Sequence, residues 1–213
     1  THDLINSKIF QVQHIQRITD FTRNRKLNFM TVMLILFQKS AKSLQLVLNE
    51  LTQRFLLQTT VTQSAFSQAR MKLKHTAFIE LNQKAIVDVV YEENDHLTWK
   101  GHRLLAIDGM KLILPDCESV RKEFGTNRIA NQLETYHCEY SLAVASVMYD
   151  VLNHIALDAS LSHSKSYEVD LAIAHLAKTL SNDLMIFDRG YLSFRFLAEL
   201  TFNKRHFLIR ASS

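Results

Sequence analysis

Residues that interrupt regular structure are scarce: Gly occurs 4 times and Pro once in 213 residues. Such a composition excludes a collagen-like or linker-rich chain and predicts long, continuous elements joined by few loops, many of them helical. Cysteine is equally thin. Only Cys117 and Cys138 occur, without CxxC spacing, which excludes a disulfide scaffold and points to free thiols in a reducing compartment. Long apolar runs are missing as well. The most apolar stretch, Phe29-Met30-Thr31-Val32-Met33-Leu34-Ile35-Leu36-Phe37, falls far short of the roughly 20 residues that cross a bilayer core, and it reads as a buried helix. No signal-peptide pattern is present, so a cytoplasmic protein without a membrane partner is expected. The chain begins at Thr1 rather than Met, as a processed, trimmed or fragmentary chain would. The 10 His form no HxH or HExxH arrangement, which argues against zinc. Neither GxxxxGK[ST], GxGxxG nor GxSxG occurs, which argues against nucleotide-driven and serine-nucleophile chemistry.

What is present is a charge asymmetry hidden in a net charge of +4. Residues 1–75 hold 11 Lys/Arg against Asp3, Asp20 and Glu50, a balance of +8, whereas residues 76–213 hold 14 Lys/Arg against 18 Asp/Glu, a balance of −4. A basic front segment of this kind suggests a polyanionic partner.

Apolar spacing makes residues 9–57 helical: Leu27, Met30, Met33, Leu34 and Phe37 recur at three- and four-residue steps, as do Leu44, Val47, Leu48, Leu51 and Phe55. Ser40 or Ser43 is the expected cap of the second helix. Over residues 60–74, Val61, Ala65, Phe66, Ala69 and Leu73 form one stripe and Gln63, Ser67, Arg70 and Lys74 the opposite one. Thr62 is the expected N-cap. A short helix presenting Gln, Ser, Arg and Lys after another helix and a brief turn fits the recognition helix of a helix-turn-helix over residues 44–74. Residues 76–95 continue as helix, and the acidic run Glu92-Glu93-Asn94-Asp95 marks a boundary, giving a helical region 1–95 and a second region 96–213.

From about residue 103 the period changes. Arg103–Ile107 reads as a strand, Lys111–Leu114 as its extension to Pro115, and residues 116–136 as irregular with a turn at Phe124-Gly125. Tyr140–Tyr149 and Val151–Leu161 read as adjacent strands. Tyr167–Leu180 reads as a helix begun by Ser164 or Ser166, with Glu168 and Asp170 in its first turn. Asp183–Phe187 is a strand, Ser193–Leu200 a helix and His206–Arg210 a last strand. The order β-β-β-α-β-α-β predicts an α+β region with a mixed sheet and flanking helices. Two segments in it stand out, Leu104-Leu105-Ala106-Ile107-Asp108-Gly109 and Leu184-Met185-Ile186-Phe187-Asp188-Arg189-Gly190-Tyr191. Each is an apolar run ending in Asp, with Gly one or two residues later. Two such strands side by side bring two carboxylates to one point, an oxygen-rich site suited to Mg²⁺ and phosphoryl transfer.

These residues carry a resemblance. Ala106-Ile107-Asp108-Gly109, Leu114-Pro115, Phe124-Gly125, Ser166-Tyr167-Glu168 and Phe187-Asp188-Arg189-Gly190-Tyr191 resemble the insertion-sequence transposases of the DDE type whose third catalytic segment is Y-x2-R-x3-E-x6-K. In front, the stretches Arg23-Asn24-Arg25-Lys26-Leu27-Asn28-Phe29 and Ser64-Ala65-Phe66-Ser67-Gln68-Ala69-Arg70 resemble that family's N-terminal region. The resemblance implies a helical DNA-binding region followed by a ribonuclease H-like catalytic domain, here reaching only the fifth strand. It implies Asp108 and Asp188 as the first two catalytic, metal-binding acids, holding two Mg²⁺ (or Mn²⁺) ions in the complete site. It implies double-stranded DNA as partner (the element's terminal repeats and target DNA), a homodimer in a synaptic complex, and a place on the bacterial nucleoid. DNA contacts are expected from Arg23, Arg25, Lys26, Gln63, Ser67, Arg70 and Lys74, and a phosphate contact or a salt bridge from Arg189. The third acid of the family lies on a later helix, so a fragment without it is expected to be inactive. Tyr191-x3-Arg195-x3-Glu199 misses the family spacing by one residue and reads instead as a helix with an Arg195–Glu199 pair. The alternatives are a truncated, non-catalytic DNA-binding derivative and a ribonuclease H-like nuclease without strand transfer.

Overall fold

The computed structural model describes all residues except 1, 24–25, 39–41, 55–60, 93–95, 131–136 and 212–213. The chain divides into two compact units, Thr1–Asp88 and Val89–Ser213. The expected boundary run Glu92–Asp95 falls largely outside the described residues.

The first unit is helical: α1 (His2–Asn6), α2 (Lys8–Gln13), α3 (Phe29–Phe37), α4 (Leu44–Arg54), α5 (Gln63–Arg70) and α6 (Thr76–Asn82), the last followed by a π-turn at Gln83–Val87; all but the first residue of α7 (Asp88–Glu92) belongs to the second unit. Its start signals are chemical. Asn28 caps α3 by accepting the Thr31 N–H at 2.8 Å, and Thr62 caps α5 by accepting the Ala65 N–H at 3.2 Å, each satisfying a donor that the first helical turn leaves free. Of the two serines offered as caps of α4, Ser43 accepts the Leu46 N–H at 3.4 Å, and Ser40 lies outside the described residues. Phe10, Phe29, Val32, Met33, Leu48, Phe66, Ala77 and Leu81 form the core. The apolar run of α3 is thus only partly buried: Phe29, Val32, Met33 and Ile35 face inward, while Leu34 and Phe37 are exposed. The buried His14 ring bonds Thr76 Oγ1 through Nδ1 and Glu80 Oε2 through Nε2, both at 2.8 Å. The Lys84 ammonium, 2.6 Å from Glu80, holds that carboxyl below its ordinary range.

The second unit is a six-stranded mixed sheet with helices on it. Its elements are β1 (Leu104–Leu114), α8 (Glu118–Phe124), β2 (Asn127–Ala130), β3 (His137–Asp150), β4 (Ile155–His163), α9 (Glu168–His175), β5 (Leu184–Phe187), α10 (Phe194–Phe202) and β6 (His206–Ile209). β3 lies antiparallel between β1 and β4, with β2 paired to its first residues, while β5 runs parallel to β1 and β6 parallel to β5. Alternation sets the faces: Leu105, Ile107, Met185 and Phe187 are buried against Val169, Ala172 and Leu176 of the α9 run and Phe196 and Leu200 of α10. Two polar ties fix the layers. Arg103 donates to both oxygens of the buried Asp183 at 2.7 Å, and Tyr91 Oη donates to Asp150 at 2.6 Å.

The structure corrects several sequence expectations. Residues 116–136 are not simply irregular, because α8 and β2 lie within them. β2 raises the strand number to six, so Asp188 follows the fifth strand rather than the fourth. Val151–His154 is the turn between β3 and β4 rather than strand. Neither Ser164 nor Ser166 caps α9: Tyr167 occupies the N-cap without a side-chain bond, and Ser166 Oγ bonds Ser162 Oγ at 2.6 Å. Arg195 pairs not with Glu199 but with Asp170 at 2.7 Å, joining α10 to α9.

Candidate active site

The parallel ladder of β1 and β5 pairs Leu104 with Leu184, Leu105 with Met185 and Ala106 with Ile186. Continued by two residues, that register aligns Asp108 with Asp188. Asp188 keeps the extended conformation, with φ −75° and ψ 175°, so the strand geometry reaches it although the ladder has ended. Neighbouring strands lie about 4.8 Å apart, and both aspartates share the parity of Ala106 and Ile186, so the two carboxylates leave the same face of the sheet. Both are exposed. Two adjacent anions repel one another unless a cation lies between them.

Each aspartate is steadied by the backbone of its own motif. Asp108 Oδ1 accepts the Gly109 N–H at 2.8 Å, and Asp188 Oδ1 accepts the Gly190 N–H at 2.9 Å while capping the 3₁₀ turn Arg189–Tyr191. These bonds engage one oxygen of each carboxylate. The glycines matter for the space beside them: a Cβ on Gly190 would stand 3.1 Å from Asp188 Oδ1, and a Cβ on Gly109 would stand 3.0 Å from Glu168 Cδ.

Glu168 therefore approaches the same strand from the first turn of α9. Beside it lies Tyr191, whose ring packs with Phe187 and Phe196 and whose hydroxyl is buried without a hydrogen-bond partner. Burial, followed by the charges of Glu168, Asp108 and Asp188, pushes the Tyr191 hydroxyl pKa well above the usual tyrosine value. An orphaned buried hydroxyl next to exposed carboxylate oxygens is a donor set that fits a hydrated divalent cation, a hard ion that takes oxygen ligands. Among the described residues, no three Asp, Glu, His or Cys side chains form a ready-made metal cage. Asp108 and Asp188 are the pair available for direct ligation.

Arg189 is exposed next to Asp188, and among the described residues no ion pair engages it. A cavity of about 220 Å³ opens beside Glu168 and Tyr191, lined also by Lys111, Lys165, Ser166 and Gly190. In the sequence, Glu168 reads as a helix-start acid and a member of the Ser166-Tyr167-Glu168 segment, and Tyr191 as the end of the Asp188 segment, but neither of them, nor Lys111, reads as part of the site. The signal for Glu168 was the Gly after Asp108, which marks a close approach to the backbone. A second polar group has the connectivity of a catalytic triad but not its exposure. His175 bonds Asp158 Oδ2 at 2.9 Å and Ser146 Oγ at 3.1 Å, yet Ser146 and His175 are buried, so the trio is a strut joining β3, β4 and α9.

In the first unit, the expected DNA contacts are spread over three places. Arg23 and Lys26 line a surface cavity of about 790 Å³ together with Thr62, Gln68 and Lys72. Gln63 and Arg70 are exposed on α5, and Ser67 is half-buried. Lys74 is not on the helical stripe: α5 ends at Arg70, and Lys74 Nζ donates to the Gln13 carbonyl at 3.2 Å. The stripe itself is narrower than expected, with Phe66, Ala69 and Leu73 buried but Ala65 exposed. Arg25 lies outside the described residues.

A sheet antiparallel on one side of β1 and parallel on the other, with aligned aspartates on β1 and after β5, is compatible with the ribonuclease H-like fold of metal-dependent phosphoryl-transfer domains. Residues 99–213 match the family described as the Transposase DDE domain, and the chain belongs to that family. DDE transposase domains use divalent metal ions. The chain is also 28% identical over 155 residues to the protein named "Putative transposase InsZ" of Escherichia coli (strain K12), a match covering 71% of this chain and 50% of that protein. It thus spans about half the length of the curated relative it matches. Among the described residues, no helix is long and apolar enough to cross a membrane.

Proposed function

We propose that the full-length protein is an insertion-sequence transposase that hydrolyses a phosphodiester at the element's ends and then joins the freed 3′-OH to target DNA. The observation that carries this reading is the shared register of Asp108 and Asp188. The free oxygens of these carboxylates hold the divalent ions, two Mg²⁺ or Mn²⁺ in the complete site. When bound, such ions activate the attacking oxygen and stabilise the leaving oxygen of an in-line displacement. Arg189, exposed next to Asp188, receives the phosphate, orienting it by charge. The third acid of the family is not assigned to Glu199, whose spacing from Tyr191 and Arg195 does not fit the family segment. The helical region 1–95 binds double-stranded DNA, at the terminal repeats, through Arg23, Arg25, Lys26, Gln63, Ser67, Arg70 and Lys74, with residues 44–74 as the helix-turn-helix. In Lys74 the contact competes with its bond to Gln13. The synaptic complex is a homodimer, and the protein works in the cytoplasm on nucleoid DNA.

The test is strand cleavage by full-length protein carrying Asp108→Asn or Asp188→Asn. Each substitution keeps shape and removes charge, and each is expected to lower cleavage at least about 10³-fold, near 4 kcal/mol of transition-state stabilisation, with DNA affinity unchanged. Cleavage retained in either variant overturns the reading.

A further inference from the structure

Glu168 has no part in a two-aspartate site, yet the fold makes room for it there. Its side chain fills the notch left by the missing Cβ of Gly109: the position of that Cβ is 3.0 Å from Glu168 Cδ, 3.1 Å from Cγ and 3.3 Å from Oε1. Glu168 therefore lies against the residue that follows Asp108. Independently, the Tyr191 hydroxyl is buried and lacks a partner, and Tyr191 and Glu168 line the same cavity. The chain leaves a donor without an acceptor beside a carboxylate, within reach of the charges of Asp108 and Asp188. A buried unsatisfied hydroxyl costs about 1–3 kcal/mol, so a structure that keeps one beside Glu168, in a cavity that Lys111 and Lys165 also line, is built for a group that enters it.

We propose that Glu168 is an outer carboxylate of the cation site on Asp108 and Asp188, accepting hydrogen bonds from the ion's water shell, while the Tyr191 hydroxyl holds that carboxylate or its water in place. The proposal rests on the reading of Asp108 and Asp188 as metal ligands. The chemistry of the ion favours it: Mg²⁺ binds through one or two carboxylates and keeps several waters, which need acceptors around them. An outer role also agrees with the absence, among the described residues, of three acids gathered for direct ligation. Glu168 acts here as a positioning residue, and Gly109 is small so that it can.

The experiment is Mn²⁺ titration of the chain, followed by the loss of the free-ion electron paramagnetic resonance signal, with thermal melting run on each variant. Glu168→Gln is expected to weaken Mn²⁺ binding about tenfold, in the range found when outer partners of metal ligands are removed, and Glu168→Asp to recover part of the loss. Gly109→Ala, which keeps every charge but displaces Glu168, is expected to weaken binding in the same direction and serves if Glu168→Gln fails to fold. Tyr191→Phe is expected to give a smaller loss. Binding by Glu168→Gln and Gly109→Ala within twofold of the parent, while Asp108→Asn abolishes it, overturns the role of Glu168 and leaves the two-aspartate site standing. No Mn²⁺ binding by the parent chain, or binding unchanged in Asp108→Asn and Asp188→Asn, overturns the two-aspartate site and the role of Glu168 with it.

Discussion

In the sheet unit, Asp108 and Asp188 come from segments 80 positions apart and meet because the parallel ladder pairs Leu104 with Leu184 and each following residue in step. In the helical unit, Arg23, Lys26, Gln63 and Arg70 lie on a loop and a short helix, and no ladder relates one to another. A strand register sets carboxylates side by side through hydrogen bonds that the backbone must make in any case. Long basic side chains on helices and loops are set only by surface and charge. The first arrangement suits chemistry at one atom and the second suits a repeating polyanion, where phosphates are met by summed charge.

This contrast is broken most severely by Phe196→Ala. Phe196 is fully buried, with its ring 4.8 Å from that of Phe187 and edge-on to it, so it holds α10 on the strand that ends just before Asp188. Its truncation is expected to cost about 3–5 kcal/mol, read from the denaturation midpoint of Trp99 fluorescence, since the chain's sole Trp lies in this unit. A smaller loss, about 1–3 kcal/mol, is expected from His175→Ala, which leaves the buried Ser146 hydroxyl without its partner. An unchanged midpoint in that variant would show that the strut carries no load. In the helical unit the expected effect is smaller and of another kind. Arg70→Ala is expected to weaken binding to duplex DNA a few-fold and to reduce the slope of log affinity against log salt by about 1. The same change with the slope unmoved would remove α5 from the interface.

The two units also differ in how much of them is legible before folding. In the sheet, apolar runs punctuated by Asp and Gly located β1 and β5, and the order of strands and helices gave the mixed sheet, because buried strands leave continuous apolar signatures. β2 and α8 escaped notice: both are short, and the residues around them are polar, so neither presents a period. The caps of α9 and the partner of Arg195 were misjudged for another reason. Ser166 and Asp170 have tertiary partners, Ser162 and Arg195, that local spacing does not contain. The two aspartates are legible as site residues, whereas Glu168 and Tyr191 are legible only as members of their segments, since their place beside Gly109 exists only once α9 and the turn after β5 pack on the sheet. In the helical unit, the stripe of Phe66, Ala69 and Leu73 was visible at helical spacing. The end of α5 at Arg70 was not, because the tie of Lys74 to Gln13 spans 61 positions.

The central claim is that Asp108 and Asp188 are two halves of one cation site. Fe²⁺ loaded into the chain and treated with peroxide produces hydroxyl radicals at the bound ion and cuts the backbone nearby, and the cut positions can be mapped by mass spectrometry. The account predicts cuts beside both Asp108 and Asp188, and the loss of both when either residue is changed to Asn. Cuts elsewhere in the chain, or a variant that loses only the cut next to its own substitution, would contradict it.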